Sequence, residues 1–164
     1  DGGDIYLNKK FRIRNNDTAE DIDLRSNLYG FELFKKLLDN INKNKLTKKK
    51  QNLNHRTYYG LKDKNKIPDK GIINLKKSTN QILKIFKALK FSKNKKNNLY
   101  KLQLNTSKGT IYLRDIELNK SNGKKFFKIG DLIKLSDNAF FIKKGKKILK
   151  ISISPQKKIK NFYL

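Results

Sequence analysis

The chain has 164 residues, of which 36% are hydrophobic, so it can bury a core as one domain or two small ones. It contains no Cys, which excludes disulfides and thiolate metal sites, and its single histidine, His55, cannot supply an imidazole-rich metal site. No apolar run approaches the roughly 20 residues that cross a bilayer, so we expect no membrane partner.

The positive charge has two explanations. Lys and Arg number 41 against 14 Asp and Glu, a formal net charge of +27, which is typical of proteins that bind nucleic acid or anionic lipid. A coding bias toward AT-rich codons would give the same scattered Lys and Asn. Sites that hold phosphate in a fixed geometry favour Arg. The arginines are few: Arg12, Arg14, Arg25, Arg56 and Arg114. The pattern therefore favours a solvated surface.

The first residues are Asp1-Gly2-Gly3-Asp4-Ile5, and the chain does not begin with Met. We therefore expect a piece of a larger protein. Glycines beside an acidic residue allow a tight turn that presents a carboxylate, as in catalytic loops, although an ordinary turn explains the same residues.

Two short apolar stretches within 5–13 predict a hairpin or a bent strand. Thr18 then resembles a helix N-cap, with Asp21 in the position of a shortened capping box. Apolar residues recur behind it at helical spacing, which predicts a long amphipathic helix from Ala19 to Asn42. Gly30 inside this helix costs about 1 kcal/mol relative to Ala, so we expect close packing or a kink there.

Residues 43–54 are almost entirely polar, which indicates a linker and the best internal boundary. After a polar loop, 71–75 reads as a short strand. Ser78 and Gln81 form a full capping box at the start of a second helix. The apolar face of that helix consists of Ile82, Ile85, Phe86 and Leu89.

Beyond residue 98 the apolar period changes from helical to alternating. Short apolar segments recur every roughly 8 to 12 residues between turn residues, which predicts a small antiparallel, OB-like β-barrel. These segments include 100–104, 111–118, Phe126-Phe127, 132–133, 139–142 and 148–153. The predicted fold class is α+β, with divisions at 1–54, 55–98 and 99–164.

Single candidate residues are weak signals of chemistry. His55 has no neighbouring Ser or Cys and is typical of a surface residue. Tyr58 and Tyr59 could stack on a base or a ring, but a tyrosine pair at the start of a strand usually packs. No glycine-rich phosphate loop is present.

Taken in order, several motifs resemble those of the formyltransferase family, which includes methionyl-tRNA formyltransferase and the sugar-nucleotide N-formyltransferases. The matching segments are Asp1 to Ile5, Asp17-Thr18-Ala19, Tyr59-Gly60, the stretch from Pro68-Asp69-Lys70-Gly71 to Leu75, and Lys87-Ala88-Leu89. The resemblance implies the end of an α/β catalytic domain at 1–54, a connecting loop, strand and helix at 55–98, and a barrel-like domain at 99–164. Lys87 departs from the usual Arg, and residues 92–96 replace a proline-rich turn.

The resemblance also implies a cytoplasmic enzyme that transfers a formyl group from formyltetrahydrofolate to an amine, without a metal. The amine would belong to a sugar nucleotide or to a charged tRNA. An Asn, a His and an Asp act in the family, and by position Asp1 would be that carboxylate. Gly2 and Gly3 would line the folate-side loop. The Asn and His would lie outside this chain, so we predict that the chain alone is inactive.

Two other classes remain open. A non-enzymatic, basic OB-like module could bind RNA or single-stranded DNA through Lys and exposed aromatic residues. That module needs exposed rings such as Tyr100 and Tyr112, and it loses its stacking surface if they are buried. An interaction or scaffold domain of the same ancestry is the third possibility.

Overall fold

The structure is a computed structural model that describes residues 3–92, 100–106, 109–119, 132–136, 138–144 and 147–153. The chain divides into two compact units, an N-terminal unit at Asp1–Lys62 and a C-terminal unit at Asp63–Leu164. The boundary falls within a short 3₁₀ helix at Leu61–Lys66. The predicted divisions after residues 54 and 98 stay predictions.

The predicted hairpin or strand at 5–13 is wrong except at one residue. Ile5 forms an isolated antiparallel bridge with Lys49, and residues 6–14 adopt neither helix nor strand. An isolated hairpin is marginally stable in water. This segment instead packs through Phe11, whose ring centroid lies 5.4 Å from that of Tyr29.

Helix α1, Ala19–Asn42, has the predicted bounds, and its N-terminus carries a complete capping box. The Asp21 N–H donates to Thr18 Oγ1 at 3.2 Å, and the Thr18 N–H donates to Asp21 Oδ2 at 2.8 Å. Gly30 lies inside an uninterrupted helix, and no atom lies within 4 Å of the position that a Cβ would take there. Close packing therefore does not explain this glycine.

Helix α1 buries none of its residues. One continuous face presents large apolar side chains that are 44% to 61% exposed. They are Leu24, Leu28, Phe31, Phe34, Leu38 and Ile41. Every buried side chain in the described part of the chain lies in the C-terminal unit.

The C-terminal unit starts its packed part with a turn at Pro68–Gly71, where Asp69, Lys70 and Gly71 have φ of 54°, 48° and 82°. Helix α2, Thr79–Leu89, follows behind the predicted capping box of Ser78 and Gln81. The predicted apolar face is confirmed. Ile82, Phe86 and Leu89 are buried, and Ile85 packs against them.

Five antiparallel strands form a single sheet in the order β1-β2-β5-β4-β3. Their bounds are β1 Gln103–Thr106, β2 Gly109–Asn119, β3 Leu132–Ser136, β4 Ala139–Lys144 and β5 Lys147–Ile153. Each predicted antiparallel segment that the structure describes therefore contains a strand, although β1 begins at Gln103 and not at residue 100. Phe126-Phe127 and residues 154–164 lie outside the described residues.

The predicted OB-like barrel is wrong, because the sheet is open. A barrel closes only when its two edge strands pair, and no pairing joins β1 to β3 among the residues that the structure describes. The free side of β1 is occupied instead. Ile72 forms a parallel bridge with Gln103, and the Ile73 N–H donates to the Gln103 carbonyl at 2.7 Å.

The core lies between α2 and one face of the sheet, and Ile82, Leu149 and Ile151 are completely buried in it. A register shift between Leu113 and Asp115 interrupts the alternation of β2. Side chains that share a face of a regular strand lie an even number of positions apart. A bulge changes this pattern, so Leu113 and Ile116 are both buried in the core although they are three positions apart.

Candidate functional site

The predicted catalytic and cofactor residues stand at the start of the N-terminal unit. Asp1 and Gly2 lie outside the described residues. Gly3 is exposed, and nothing lies within 4 Å of the position that a Cβ would take. All three assignments therefore remain predictions.

The segment that follows these residues is held by backbone hydrogen bonds. The Ile5 N–H donates to the Lys49 carbonyl at 2.8 Å, and the Lys49 N–H donates back to the Ile5 carbonyl at 2.9 Å. Lys48 Nζ also lies 2.9 Å from Asp4 Oδ2. Asp4 and Ile5 are thus held beside Lys48 and Lys49, more than forty positions away in sequence.

A cavity of about 640 Å³ opens beside this pairing, within the N-terminal unit. Ligand sites commonly have volumes of roughly 300–1,000 Å³. The lining residues are Ile5, Asn8, Lys49, Lys50, Gln51, Asn52, His55, Arg56, Thr57, Tyr58 and Tyr59. The cavity therefore combines cations, amides and aromatic rings, and none of these lining residues is acidic.

The two tyrosines of this cavity are exposed, which contradicts the expectation that they pack. Tyr58 is 66% exposed and Tyr59 is 84% exposed. The Arg56 guanidinium carbon lies 5.6 Å from the centroid of the Tyr58 ring. A Cβ on Gly60 would come within 2.9 Å of Tyr58 Cε1. Arg56 and Gly60 thus both lie close to the Tyr58 ring, and Tyr59 is the more exposed of the two tyrosines.

His55 ends a 3₁₀ helix at Leu53–His55, and its side chain is exposed on the cavity wall. Asn52 starts this turn because its side-chain Oδ1 accepts the Asn54 N–H at 3.1 Å. The expected surface location of His55 is confirmed. The structure places it among potential ligand contacts, which sequence reasoning did not foresee.

The Asp17-Thr18-Ala19 motif has a structural role. Hydrogen bonds from the Arg25 guanidinium, and then from the Arg14 backbone N–H, lower the pKa of Asp17 to about 2. Hydrogen bonds from the Thr18 backbone and side chain lower the pKa of Asp21. Both carboxylates therefore hold the start of α1. Sequence reasoning did not identify Arg25 as the partner of Asp17.

The motif from Pro68 to Gly71 is also structural. Lys77 forms an ion pair with Asp69. Gly71 lies close to residues 100 and 101. A Cβ at this position would be 2.7 Å from the Lys101 carbonyl oxygen and 2.8 Å from Tyr100 Cβ. Only glycine combines this approach with a φ of 82° at low cost.

The stacking surface that a nucleic-acid module requires is only partly present. Tyr100 is half-buried, and its hydroxyl donates to Asn65 Oδ1 at 3.1 Å. Tyr112 is 42% exposed, with Lys101 Nζ 5.7 Å from its ring centroid. Of these two rings only Tyr112 is exposed, and one exposed ring is a poor platform for successive bases.

A second cavity, of about 530 Å³, lies in the C-terminal unit between β2, β4 and β5. None of the lining residues that the structure describes is aromatic. Among them, the Asp115 carboxylate accepts two hydrogen bonds from Lys90 Nζ, at 3.0 and 3.1 Å. This cavity therefore offers fewer recognition groups than the first.

Within the part of the chain that the structure describes, no helix is both long and apolar enough to cross a membrane. The same residues contain no cluster of three or more His, Cys, Asp or Glu side chains that could hold a metal ion.

The sequence matches no protein-family profile, and no curated protein matches it. Solved structures do match. WlaRD, a sugar 3N-formyl transferase solved in the presence of dTDP and 5-N-formyl-THF, is 23% identical with a TM-score of 0.56. The match covers 94% of this chain and 51% of WlaRD. At this identity, the likeness shows the fold.

A second match is the N-formyltransferase from Helicobacter canadensis, solved in complex with folinic acid and dTDP-3-aminofucose. It is 27% identical with a TM-score of 0.56, and the match covers 93% of this chain and 50% of that one. The chain thus has a formyltransferase-like fold and spans about half the length of these structures. Neither match supports a tRNA acceptor.

Proposed function

We propose that this chain forms one half of an N-formyltransferase that transfers a formyl group from formyltetrahydrofolate to the amine of a nucleotide-linked sugar. The observation that carries this proposal is the match over 93% and 94% of the chain to two such enzymes. Both were solved with a formylated folate, and both with dTDP or a dTDP-linked amino sugar.

The chemistry needs few groups. The amine nitrogen attacks the formyl carbon, and the bond between that carbon and the folate nitrogen then breaks. The amine loses a proton and the folate nitrogen gains one, so the step is balanced. Hydrogen-bond donors stabilise the oxyanion of the tetrahedral intermediate, and a carboxylate positions the group that moves the proton.

We assign the carboxylate role to Asp1 and the folate-side loop to Gly2 and Gly3. The oxyanion donors, an Asn and a His, would come from the half of the fold that this chain does not span. His55 is not assigned to this role. It belongs to the cavity wall at residues 49–59, and no described contact links it to a catalytic group.

The test compares this chain with a protein that also contains the preceding half. Formyl transfer from formyltetrahydrofolate to a dTDP-linked amino sugar is followed by mass spectrometry of the product. We expect transfer by the longer protein, a fall of about 10²- to 10⁴-fold on Asp1→Asn, and none by the 164-residue chain.

Two results would contradict these assignments. Failure of the longer protein to formylate any nucleotide-linked amino sugar, while it remains folded, would refute the proposed function. Formyl transfer by the isolated chain that disappears on Asp1→Asn would keep the reaction but refute the need for a second half.

A further inference from the structure

We infer that the cavity at residues 49–59 binds the nucleoside diphosphate end of the acceptor, with Tyr59 stacking on the base and Arg56 binding the diphosphate. This inference rests on the proposed function and adds the location of the nucleotide. The cavity volume of about 640 Å³ is in the range of small-molecule sites.

The aromatic wall supports base stacking. Tyr59 is 84% exposed, which leaves its ring faces available to a ligand. The Arg56 guanidinium carbon lies 5.6 Å from the centroid of the Tyr58 ring, so this wall also places a cation beside an aromatic ring. Stacking on an aromatic side chain requires only the face of a base, so this wall accepts a nucleobase without a large set of hydrogen bonds.

The charge of the lining supports a diphosphate. Lys49, Lys50 and Arg56 contribute cations, and none of the described lining residues is Asp or Glu. A guanidinium can donate two parallel hydrogen bonds to phosphate oxygens. Asn52 and Thr57 add neutral groups that could bind the edge of a base or a ribose hydroxyl.

The position of the cavity fits the proposed reaction. Ile5 lines it and follows the predicted catalytic Asp1 by four positions. Four residues of chain reach at most about 14 Å. A sugar attached to a nucleotide in this cavity would therefore extend toward the region where formyl transfer is proposed.

The chain carries a charge of +27, so the test must separate stacking from attraction to any anion. Isothermal titration calorimetry measures binding of dTDP and of inorganic pyrophosphate to the chain and its variants. We expect Tyr59→Ala to weaken dTDP binding about tenfold or more and to leave pyrophosphate binding unchanged. Arg56→Ala should weaken the binding of both.

The C-terminal unit supplies a matched control. Lys101 lies 5.7 Å from the ring of Tyr112, much as Arg56 lies 5.6 Å from the ring of Tyr58. Tyr112→Ala and Lys101→Ala remove the same kinds of group, and Lys101→Ala also removes the same charge. We expect neither to change dTDP binding. Circular dichroism checks that all variants keep their secondary structure.

The outcomes separate this inference from the function on which it rests. If dTDP binds but Tyr59→Ala and Arg56→Ala have no more effect than the controls, the location is wrong even if the longer protein transfers formyl groups. If a longer protein bound dTDP through Tyr59 but had no transferase activity, the location of the nucleotide site would stand and the proposed formyl transfer would be refuted. Tighter, Tyr59-dependent binding of an oligothymidylate would overturn the nucleotide-sugar assignment.

Discussion

Arg25 donates two hydrogen bonds to Asp17, one to each carboxylate oxygen, and both are 2.9 Å long. Asp17 and Arg25 are separated by eight positions, and the pair joins the loop before α1 to the second turn of the helix. The side chains are 8% and 20% exposed, respectively, so this pair is more protected than the other ion pairs described in the N-terminal unit.

The Asp17 pair predicts loss of helix at low pH. The Arg25 and Arg14 hydrogen bonds lower the pKa of Asp17 to about 2, whereas an aspartate in an unfolded chain has a pKa of about 3.9. The pair therefore stabilises the folded state fully above that unfolded value, and this stabilisation is lost as the pH falls toward about 2. The ellipticity at 222 nm should fall across this window.

Asp17→Asn should weaken that pH dependence, leaving the part due to Asp21, and lower the helical signal at neutral pH. Asp39→Asn changes the same charge near the other end of α1 and serves as the control. If Asp17→Asn and the original chain show the same acid transition, the pair does not control the start of α1.

Gly71→Ala should destabilise the C-terminal unit by at least about 1–2 kcal/mol, because a side chain disfavours the left-handed region. The added Cβ would also meet the Lys101 carbonyl oxygen at 2.7 Å. Urea denaturation followed by circular dichroism measures the change in the free energy of unfolding.

Gly30→Ala is the opposite case. Nothing lies within 4 Å of its Cβ position and the residue is helical, so alanine should stabilise α1 by about 0.5–1 kcal/mol. If alanine changed the stability equally at Gly30 and Gly71, the close contact with Lys101 would not be the reason that position 71 requires glycine.

Leu149→Ala should cost about 2–5 kcal/mol, because it opens a cavity in a core position that is completely buried. Leu118 is its registered partner on the neighbouring strand and is 43% exposed. Leu118→Ala should cost less than about 1 kcal/mol, because much of that side chain already contacts water. Thermal denaturation of both variants checks the difference, and a similar cost would contradict the described burial.

Amide hydrogen exchange should distinguish the units. Strand β5 pairs with β2 on one side and β4 on the other, and its side chains alternate into the core. Helix α1 buries none of its residues. Because protection follows burial and local packing, we expect β5 amides to exchange orders of magnitude more slowly than those of α1. Equal protection would indicate that α1 is packed against something else in solution.

The sequence predicted both helices well, because capping boxes at Thr18 and Ser78 are local signals. It also predicted most strands, since alternation is local too. The barrel failed because closure depends on which edges pair, and here the segment at Ile72 occupies the free side of β1. The strand at 5–13 failed because a short apolar segment does not specify its partner.

The candidate site was harder to predict. Its cavity brings Ile5 and Asn8 together with residues 49–59, and no spacing rule relates positions that far apart. The residue types from His55 to Tyr59 can be read from the sequence, but the exposure of Tyr58 and Tyr59 cannot. Exposure depends on which other segments pack over a side chain, and a linear pattern does not contain that information.

All buried side chains in the described part of the chain follow residue 72, whereas the proposed recognition residues precede residue 60. A scan of substitutions across the chain should therefore give two separable phenotypes. Changes in the later region would reduce the amount of folded protein in the cell. Changes in the earlier region would leave the protein abundant and alter the molecules that it selects.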